Sequence, residues 1–584
     1  MGYTPHVLVV GGGPLGAGLA RDLSIRGLDV TLATPGPLVT SRVGRMGGLL
    51  ASGAQFACED PEYARRCLAE RRTLSEIAGH CVEDTGGLVV GEALDELQAA
   101  CERCSITAER LDGATARERE PGLAATVEGA LAVPDAAIDP HLLTVATARD
   151  AREYGADIHT RARVTDIEVV DGTVETATLS HDPAPTEPDH TDEASHARVR
   201  PDDGQGMGLS GSNMDGLNRS EETPTPTTEE LDVDYIVNAA GREAPAVADR
   251  AGCSVPVPPR QVTTLVAGGR PVEMAVTRPA DSDTTPDTAV PVGQHTLLAT
   301  EGPPDEADGV APSSVDAARD SLSTLVDGAQ PLRAFGMHRD HLDVGEGRDF
   351  GVLDHDSQGC WGLLTVFGGT VTTHRRVAER VCDKVCGEFG IRRACQTDEL
   401  LVPGSEDVPD LAQAVGTFGL AESVYEHSKR RLGGQANAVL HTEGENPVLC
   451  HTQSVTRTEV SAALDDSTGA AADLGGVRVR TSAATGDCQG GRCAHRLATQ
   501  LYPTHDTDVV ETACAALLEE RWAGQRPVVD ARSTELARTH RDHAATMNRD
   551  HQHNLGHEDI AAFDSGFGAT TERPRCCPRV GWEP

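Results

Sequence analysis

An apolar run, a glycine-rich turn and a helix-spaced segment follow one another at the start of the chain, and this order constrains the fold more than any other feature. His6–Val10 is apolar, Gly11-Gly12-Gly13-Pro14-Leu15-Gly16 fits G-x-G-x-x-G, Ala17–Arg26 keeps helical spacing, and Val30–Ala33 is a second apolar run. The pattern predicts β-turn-α-β, the opening of a parallel sheet with helices on its faces. Glycines here allow a tight turn and the close approach of a pyrophosphate, which the free amides and dipole of the following helix attract. A purely structural glycine turn is the alternative, and the flanking β and α patterns favour the nucleotide reading. A carboxylate that would hold a ribose hydroxyl belongs about 20 residues further on. Ala33 and Thr34 stand there instead, so Thr34 offers only a hydroxyl.

The β and α alternation continues through helices expected near Glu62–Ala78 and Pro140–Tyr154 and a strand at Val164–Val170. From about His181 to Glu230 the composition turns to Asp, Glu, Pro, Thr, Ser and Gly without periodicity, which reads as a disordered insertion. Order returns at Val233–Ala240, an apolar strand ending in Asn238-Ala239-Ala240-Gly241. A second acidic, loop-like stretch lies near Thr300–Ser314, the composition changes again around Gly433–Asn446, and the block after Thr539 reads as a mobile tail rich in His and Asp. With 584 residues the chain exceeds one core, and two or three domains are expected.

Acidic residues number 91 against 51 basic ones, a net charge of -40, and among the basic residues only Lys384 and Lys429 are lysines. Such a surface repels nucleic acid and anionic lipid and destabilises the compact state by self-repulsion unless salt screens it. A salt-rich cytoplasm accounts for both the acidity and the scarcity of lysine; a generally acidic protein at ordinary ionic strength accounts only for the first. No leader and no apolar run of about 18 residues stands in the sequence, so neither secretion nor membrane spanning is indicated, and the 16 cysteines are expected to be mostly reduced.

Further motifs occur in a distinctive order: Arg21-Asp22-Leu23, Arg26–Leu32, Gly44-Arg45-Met46, Gly48-Leu49-Leu50, Ala78–Glu83, Thr85–Leu88, Val133-Pro134-Asp135, Asp139-Pro140, Asn238–Gly241 and Gly368-Gly369. In this order the chain resembles the flavin-binding large subunit of anaerobic glycerol-3-phosphate dehydrogenase, within the D-amino-acid-oxidase-like FAD superfamily. The resemblance spans most of the chain apart from the insertion and the tail. It implies an α/β fold in which a Rossmann-like FAD-binding domain carries an inserted mixed-sheet substrate domain, followed by a small α-rich cysteine domain. The expected division is 1–395 for the oxidoreductase part, 396–440 for a helical linker, 441–538 for a [2Fe-2S]-binding-like domain and 539–584 for the tail. FAD is then expected against Gly11, Gly13, Pro14, Leu15, Gly16, Thr34, Arg45, Val164, Gly241, Gly368, Gly369 and Thr373.

The resemblance also exposes departures. The family's segment after the second strand reads roughly G-R-x-H-G-L-L-H-S-G-x-R-Y, and here Gly47 and Ala51 replace the histidines, Gln55 the arginine and Phe56 the tyrosine. The family lysine in G-G-K-x-x-T-Y-R becomes Thr370, while an arginine that follows Arg333-Ala334-Phe335 survives as Arg339. A phosphate needs converging cations, and each charge-assisted bond lost forfeits about 1.5–3 kcal/mol. Arg339 is therefore expected to hold the substrate anion. With both histidines gone, His374 stands either as the replacement base or as a capping histidine without a chemical role.

Near the carboxy terminus, Asn446–Cys450, Val455-Thr456-Arg457 and Arg480 to Cys493 resemble the family's [2Fe-2S] domain, whose ligands are C-x-C followed by C-x4-C. Cys450, Cys488 and Cys493 keep three ligand positions and Thr452 takes the fourth; adjacent His451 would point away in an extended segment. An iron-sulfur cluster and a metal-free domain with reduced thiols both stand open. Cys101-x-x-Cys104 lies in a helical setting, Cys576-Cys577 is terminal, and His540, His543, His551, His553 and His557 read as solvated tail. The resemblance thus implies a flavoprotein that oxidises glycerol 3-phosphate to dihydroxyacetone phosphate and passes electrons to a quinone through partner subunits of a membrane-associated complex. It would lie in the cytoplasm, peripheral to the inner face of the cell membrane. A non-catalytic or altered-substrate relative that keeps the scaffold is the alternative.

Overall fold

A computed structural model describes residues 3–39, 47–181, 227–255, 259–279, 286–301, 310, 312–340, 350–406, 418–442, 445–465 and 474–528. The first strand, β1 (His6–Val10), the first helix, α1 (Pro14–Ile25), and the second strand, β2 (Asp29–Thr34), form the expected β-turn-α-β unit. Pro14 opens α1 at a position where its missing N–H costs nothing. The sheet has six strands in the order Phe350–Asp354, Leu363–Gly368, Tyr235–Asn238, β1, β2 and Asp157–Thr160. All pair in parallel except the first, with Val7 opposite both Tyr235 and Val30. The strands of this sheet read as nearly continuous apolar runs because both faces are covered. Val7, Val9, Leu19, Leu23, Val30, Leu32, Val237, Leu364, Val377 and Val381 make one core beneath α1 and the helix His374–Glu388.

The inserted part is a second, mixed sheet of eight strands. Its order is Pro331–Asp340, Pro259–Ala267, His295–Glu301, Asp287–Val292, Ala275–Arg278, Gly87–Val90, Gly129–Val133 and Glu109–Asp112, with one parallel pair between Ala275–Arg278 and Gly87–Val90. The carboxy-terminal part is built mainly of helices, including Glu422–Leu432, Arg457–Asp465, Leu474–Thr481 and Thr507–Gln525, beside the strand pair Val448–Cys450 and Val455–Thr456.

Aspartates set several helix starts. Asp60 accepts from the Tyr63 amide ahead of Pro61–Ile77, and Asp139 accepts from the amides of His141 and Leu142 ahead of Pro140–Glu153. Arginines then join these elements through buried ion pairs. Arg21 reaches Asp150 at 2.5 Å, Arg375 reaches Glu70 at 2.5 Å, and Arg431 reaches Glu459 at 2.6 Å. The planar guanidinium suits such sites because it satisfies several acceptors at once.

The stretch expected as a disordered insertion begins and ends in paired strands, and 182–226 lie outside the described residues. His181 ends the strand Thr173–His181, and Thr227–Asp232 pairs with it antiparallel, His181 opposite Thr227. The returning strand is polar and exposed, and an edge strand of that kind needs no apolar alternation to pair. The acidic stretch at 300–314 likewise begins and ends in regular elements: Thr300 and Glu301 belong to a strand, and a helix runs from Pro312 to Ser323. The tail after Thr539, with Cys576, Cys577 and the five histidines, lies outside the described residues, as does Arg45.

Candidate active site

The carboxyl ends of β1 and β2 open on a cleft of about 390 Å³. Gly11 carries φ +129° and Gly16 lies so close beneath it that a Cβ there would fall 1.8 Å from the Gly11 carbonyl oxygen. No side chain caps α1, so its amino-terminal turn, Pro14 to Gly16, faces the cleft with backbone amides unclaimed by a cap. Gly11, Gly12, Gly13, Pro14, Leu15, Gly16, Thr34, Val164, Gly241, Gly368 and Gly369 all line this one space. Thr373 does not line it; its hydroxyl accepts from the Thr370 amide at 3.2 Å and holds the turn behind the wall.

Arg163, Arg242 and Arg250 also line the cleft, near Val164 and Gly241. Glu243 is the one acidic side chain on its walls among the described residues, 3.6 Å from Arg163. None of these four was singled out from sequence, since they come from separate elements that only the fold assembles. The glycine turn, an open helix end and an arginine-rich wall suit an extended dianion.

Gly47, Gly48, Ala51, Gln55, Phe56, Thr288, Gly336 and Thr370 also line the cleft. Thr372 links two of its segments: its hydroxyl accepts from the Ala51 amide at 3.0 Å and lies 3.2 Å from the Leu49 carbonyl. Gln55 is buried, and its Oε1 has no hydrogen-bond partner, an orphaned acceptor on the wall. Such an atom costs free energy unless a ligand donor reaches it. His374 is buried at the start of its helix, with Nδ1 2.7 Å from the Val371 carbonyl. A carbonyl only accepts, so Nδ1 carries the proton and Nε2 keeps its lone pair. Burial pushes the imidazole pKa down to about 4, so the ring is neutral near neutral pH. Arg339 lies on the strand Pro331–Asp340, opposite Arg260 and two residues along from the position that pairs with cleft-lining Val262; its side chain lies outside the described residues.

The glycine cradle and open helix end fit a flavin dinucleotide. A second cavity, of about 660 Å³, adjoins the same strand, and Gly336 borders both. It separates the large sheet from the cysteine-bearing helices and is lined by Arg333, Arg478, Arg521 and Glu520. Glu520 lies 3.1 Å from Arg333, 3.5 Å from Arg478 and 3.8 Å from Arg521.

Beyond that cavity, Cys450, Cys488 and Cys493 converge. Hydrogen bonding from the Cys493 thiol pushes Cys450 down to about 6 and Cys488 down to about 5, and pushes Cys493 itself up. The Thr452 hydroxyl stands 3.5 Å from the Cys450 sulfur and 3.8 Å from that of Cys488, completing the group, while His451 is exposed. The donor set therefore falls one thiolate short of the four that a [2Fe-2S] cluster ordinarily takes, and no step is assigned to a cluster. Cys101 and Cys104 are buried at the end of the helix Leu94–Arg103 as packing thiols.

Residues 6–375 match the family model described as FAD dependent oxidoreductase. The chain is 37% identical to an anaerobic glycerol-3-phosphate dehydrogenase subunit of Haloferax volcanii, across 97% of this chain and 95% of that one. It is 30% identical to the corresponding anaerobic glycerol-3-phosphate dehydrogenase subunit of Escherichia coli K12, across 89% and 93%. The solved structure of the glycerol-3-phosphate dehydrogenase from Bacillus halodurans complexed with FAD superposes with a TM-score of 0.63, across 91% of this chain and 97% of that one. At 16% identity, that likeness speaks for the fold.

Proposed function

This chain belongs to the FAD-dependent oxidoreductases, and within them to the family of these anaerobic glycerol-3-phosphate dehydrogenase subunits, and on that premise we propose that it oxidises glycerol 3-phosphate to dihydroxyacetone phosphate and delivers the electrons to a quinone through partner subunits. The observation that carries this reading is the single cleft joining an uncapped helix end and glycine turn to the loop Gly368–Thr372.

When bound, FAD supplies the hydride acceptor. The chain's own residues do the rest. The turn Gly11–Gly16 and the open amides of α1 hold the pyrophosphate, with Arg163, Arg242 and Arg250 adding positive charge. Thr34 offers its hydroxyl where a ribose carboxylate is missing. Thr372 fixes the Ala51 segment against the loop, and Gln55 Oε1 accepts from a substrate hydroxyl. Arg339 holds the substrate phosphate. His374, neutral and with its lone pair on Nε2, takes the hydroxyl proton.

We assign 1–395 to this chemistry, 396–440 to a helical linker, 441–538 to a [2Fe-2S]-binding-like cysteine domain, and 539–584 to a tail. Among the described residues no helix is long and apolar enough to cross a membrane, so seating on the inner face of the cell membrane would run through the partner subunits.

A second reading rests on Gly47, Ala51, Gln55 and Thr370, uncharged where the family carries polar or charged groups: an altered substrate, or a scaffold without catalysis. Protein purified in high salt and mixed anaerobically with glycerol 3-phosphate separates the three. Visible flavin bands that bleach support the enzyme. Gln55→Arg should then lower KM by about tenfold or more, the equivalent of one charge-assisted bond. Bleaching by other alcohols alone selects an altered substrate, and the absence of bound flavin selects the scaffold.

A further inference from the structure

At the edge of the six-stranded sheet, outside the cleft, His159 stands on the strand Asp157–Thr160, paired in parallel with β2. Beside it lies the three-stranded meander of Ala162–Val170, Thr173–His181 and Thr227–Asp232. Its register sets Leu179 opposite Glu229 and His181 opposite Thr227, so His181 and Glu229 are diagonal neighbours on adjacent strands. One carboxylate oxygen of Glu229 lies 2.9 Å from His181 Nε2 and 3.6 Å from His159 Nδ1. One ligand atom from each of the three residues falls within 4.8 Å of the others, and the two rings are 5.5 Å apart.

A tetrahedral cation with bonds of about 2.0–2.2 Å keeps neighbouring ligand atoms roughly 3.3–3.5 Å apart. The two measured carboxylate-to-ring separations bracket that span, and the ligand atoms of the two rings, within 4.8 Å of each other, need to close by at most about 1.5 Å. The rival account is a hydrogen-bonded trio in which both rings donate to one oxygen. It requires both imidazoles to be proton donors towards the same oxygen, whereas an ion takes one lone pair from each ring and one from the carboxylate, three donors that two different sheets bring within 4.8 Å of one another. Two nitrogen donors and one oxygen select a borderline divalent ion over calcium or magnesium, which take oxygen.

We propose that His159, His181 and Glu229 bind a borderline divalent cation, zinc being representative, with water in the remaining position. The ion fastens the open edge of the nucleotide-binding sheet to the meander at the point where the chain leaves at His181 and returns at Thr227. The family's flavin chemistry does not call for it.

Full-length protein stripped with chelator is titrated with Zn2+ and, separately, Co2+, as wild type and as His181→Ala, His159→Ala, Glu229→Gln and Cys488→Ser. The wild type should bind one equivalent that each of the first three variants loses or holds at least tenfold more weakly, while Cys488→Ser keeps it. Cobalt in that equivalent should show ligand-field bands without sulfur charge transfer. The three altered side chains are partly exposed, and matching circular dichroism establishes that each variant is folded. Equal stoichiometry and affinity in the wild type and in all three variants overturns the proposal, as does loss of the equivalent only in Cys488→Ser.

Discussion

His374 shows how much one side chain's chemistry depends on what surrounds it. Its ordinary pKa of 6.5 falls to about 4 because burial disfavours the imidazolium. Below pH 6.5 the unfolded chain therefore takes up a proton that the native state refuses, and stability falls as pH drops from 6.5 to 4. The loss is roughly 1.4 kcal/mol per pH unit for one such histidine. His80, also lowered to about 4 by burial, adds to the same slope. Urea unfolding in high salt between pH 7 and 4 should show that His374→Asn has a shallower pH dependence than the wild type; identical slopes would contradict a buried neutral ring. Replacements such as Gln55 and Thr370 were legible in the sequence because motifs fix their positions to the residue. The burial of His374 and the gathering of the arginines at 163, 242 and 250 were not, because nothing along the chain says which distant elements will pack together.

At the scale of elements, local patterns carried the nucleotide-binding unit almost to the residue: the strand His6–Val10 is as expected, and α1 begins three residues earlier than its apolar spacing shows, at Pro14. Polar edge strands were missed, since Thr227–Asp232 reads as low complexity until its partner is known. The thiol loop is intermediate. Its three cysteines and Thr452 were legible as a broken motif, but their convergence across 36 residues is a tertiary fact. Thr452→Cys should supply the fourth thiolate, raising bound iron towards about two per chain after reconstitution and producing the visible charge-transfer bands of such a centre. If iron content is the same in the wild type and the variant, Thr452 is not what limits assembly.

The whole molecule carries a net charge of -40 on a framework in which arginine holds several buried carboxylates, Asp150, Glu70 and Glu459 among them. Repulsion among exposed acids is screened steeply, the Debye length shrinking from about 10 Å at 0.1 M salt to about 3 Å at 1 M, whereas buried pairs such as Arg21 with Asp150 are screened far less. The midpoint of thermal unfolding should therefore rise between 0.2 and 2 M KCl, as followed by circular dichroism at neutral pH; a flat or falling midpoint would contradict this account of the charge. The adjacent exit and return at His181 and Thr227 carry a consequence for how such a chain can be altered. Because the two ends are already hydrogen-bonded neighbours, the length of what connects them enters stability only logarithmically, about 0.6 kcal/mol per doubling. A reporter or foreign module spliced into that connection should therefore leave the pairing of the two strands in place.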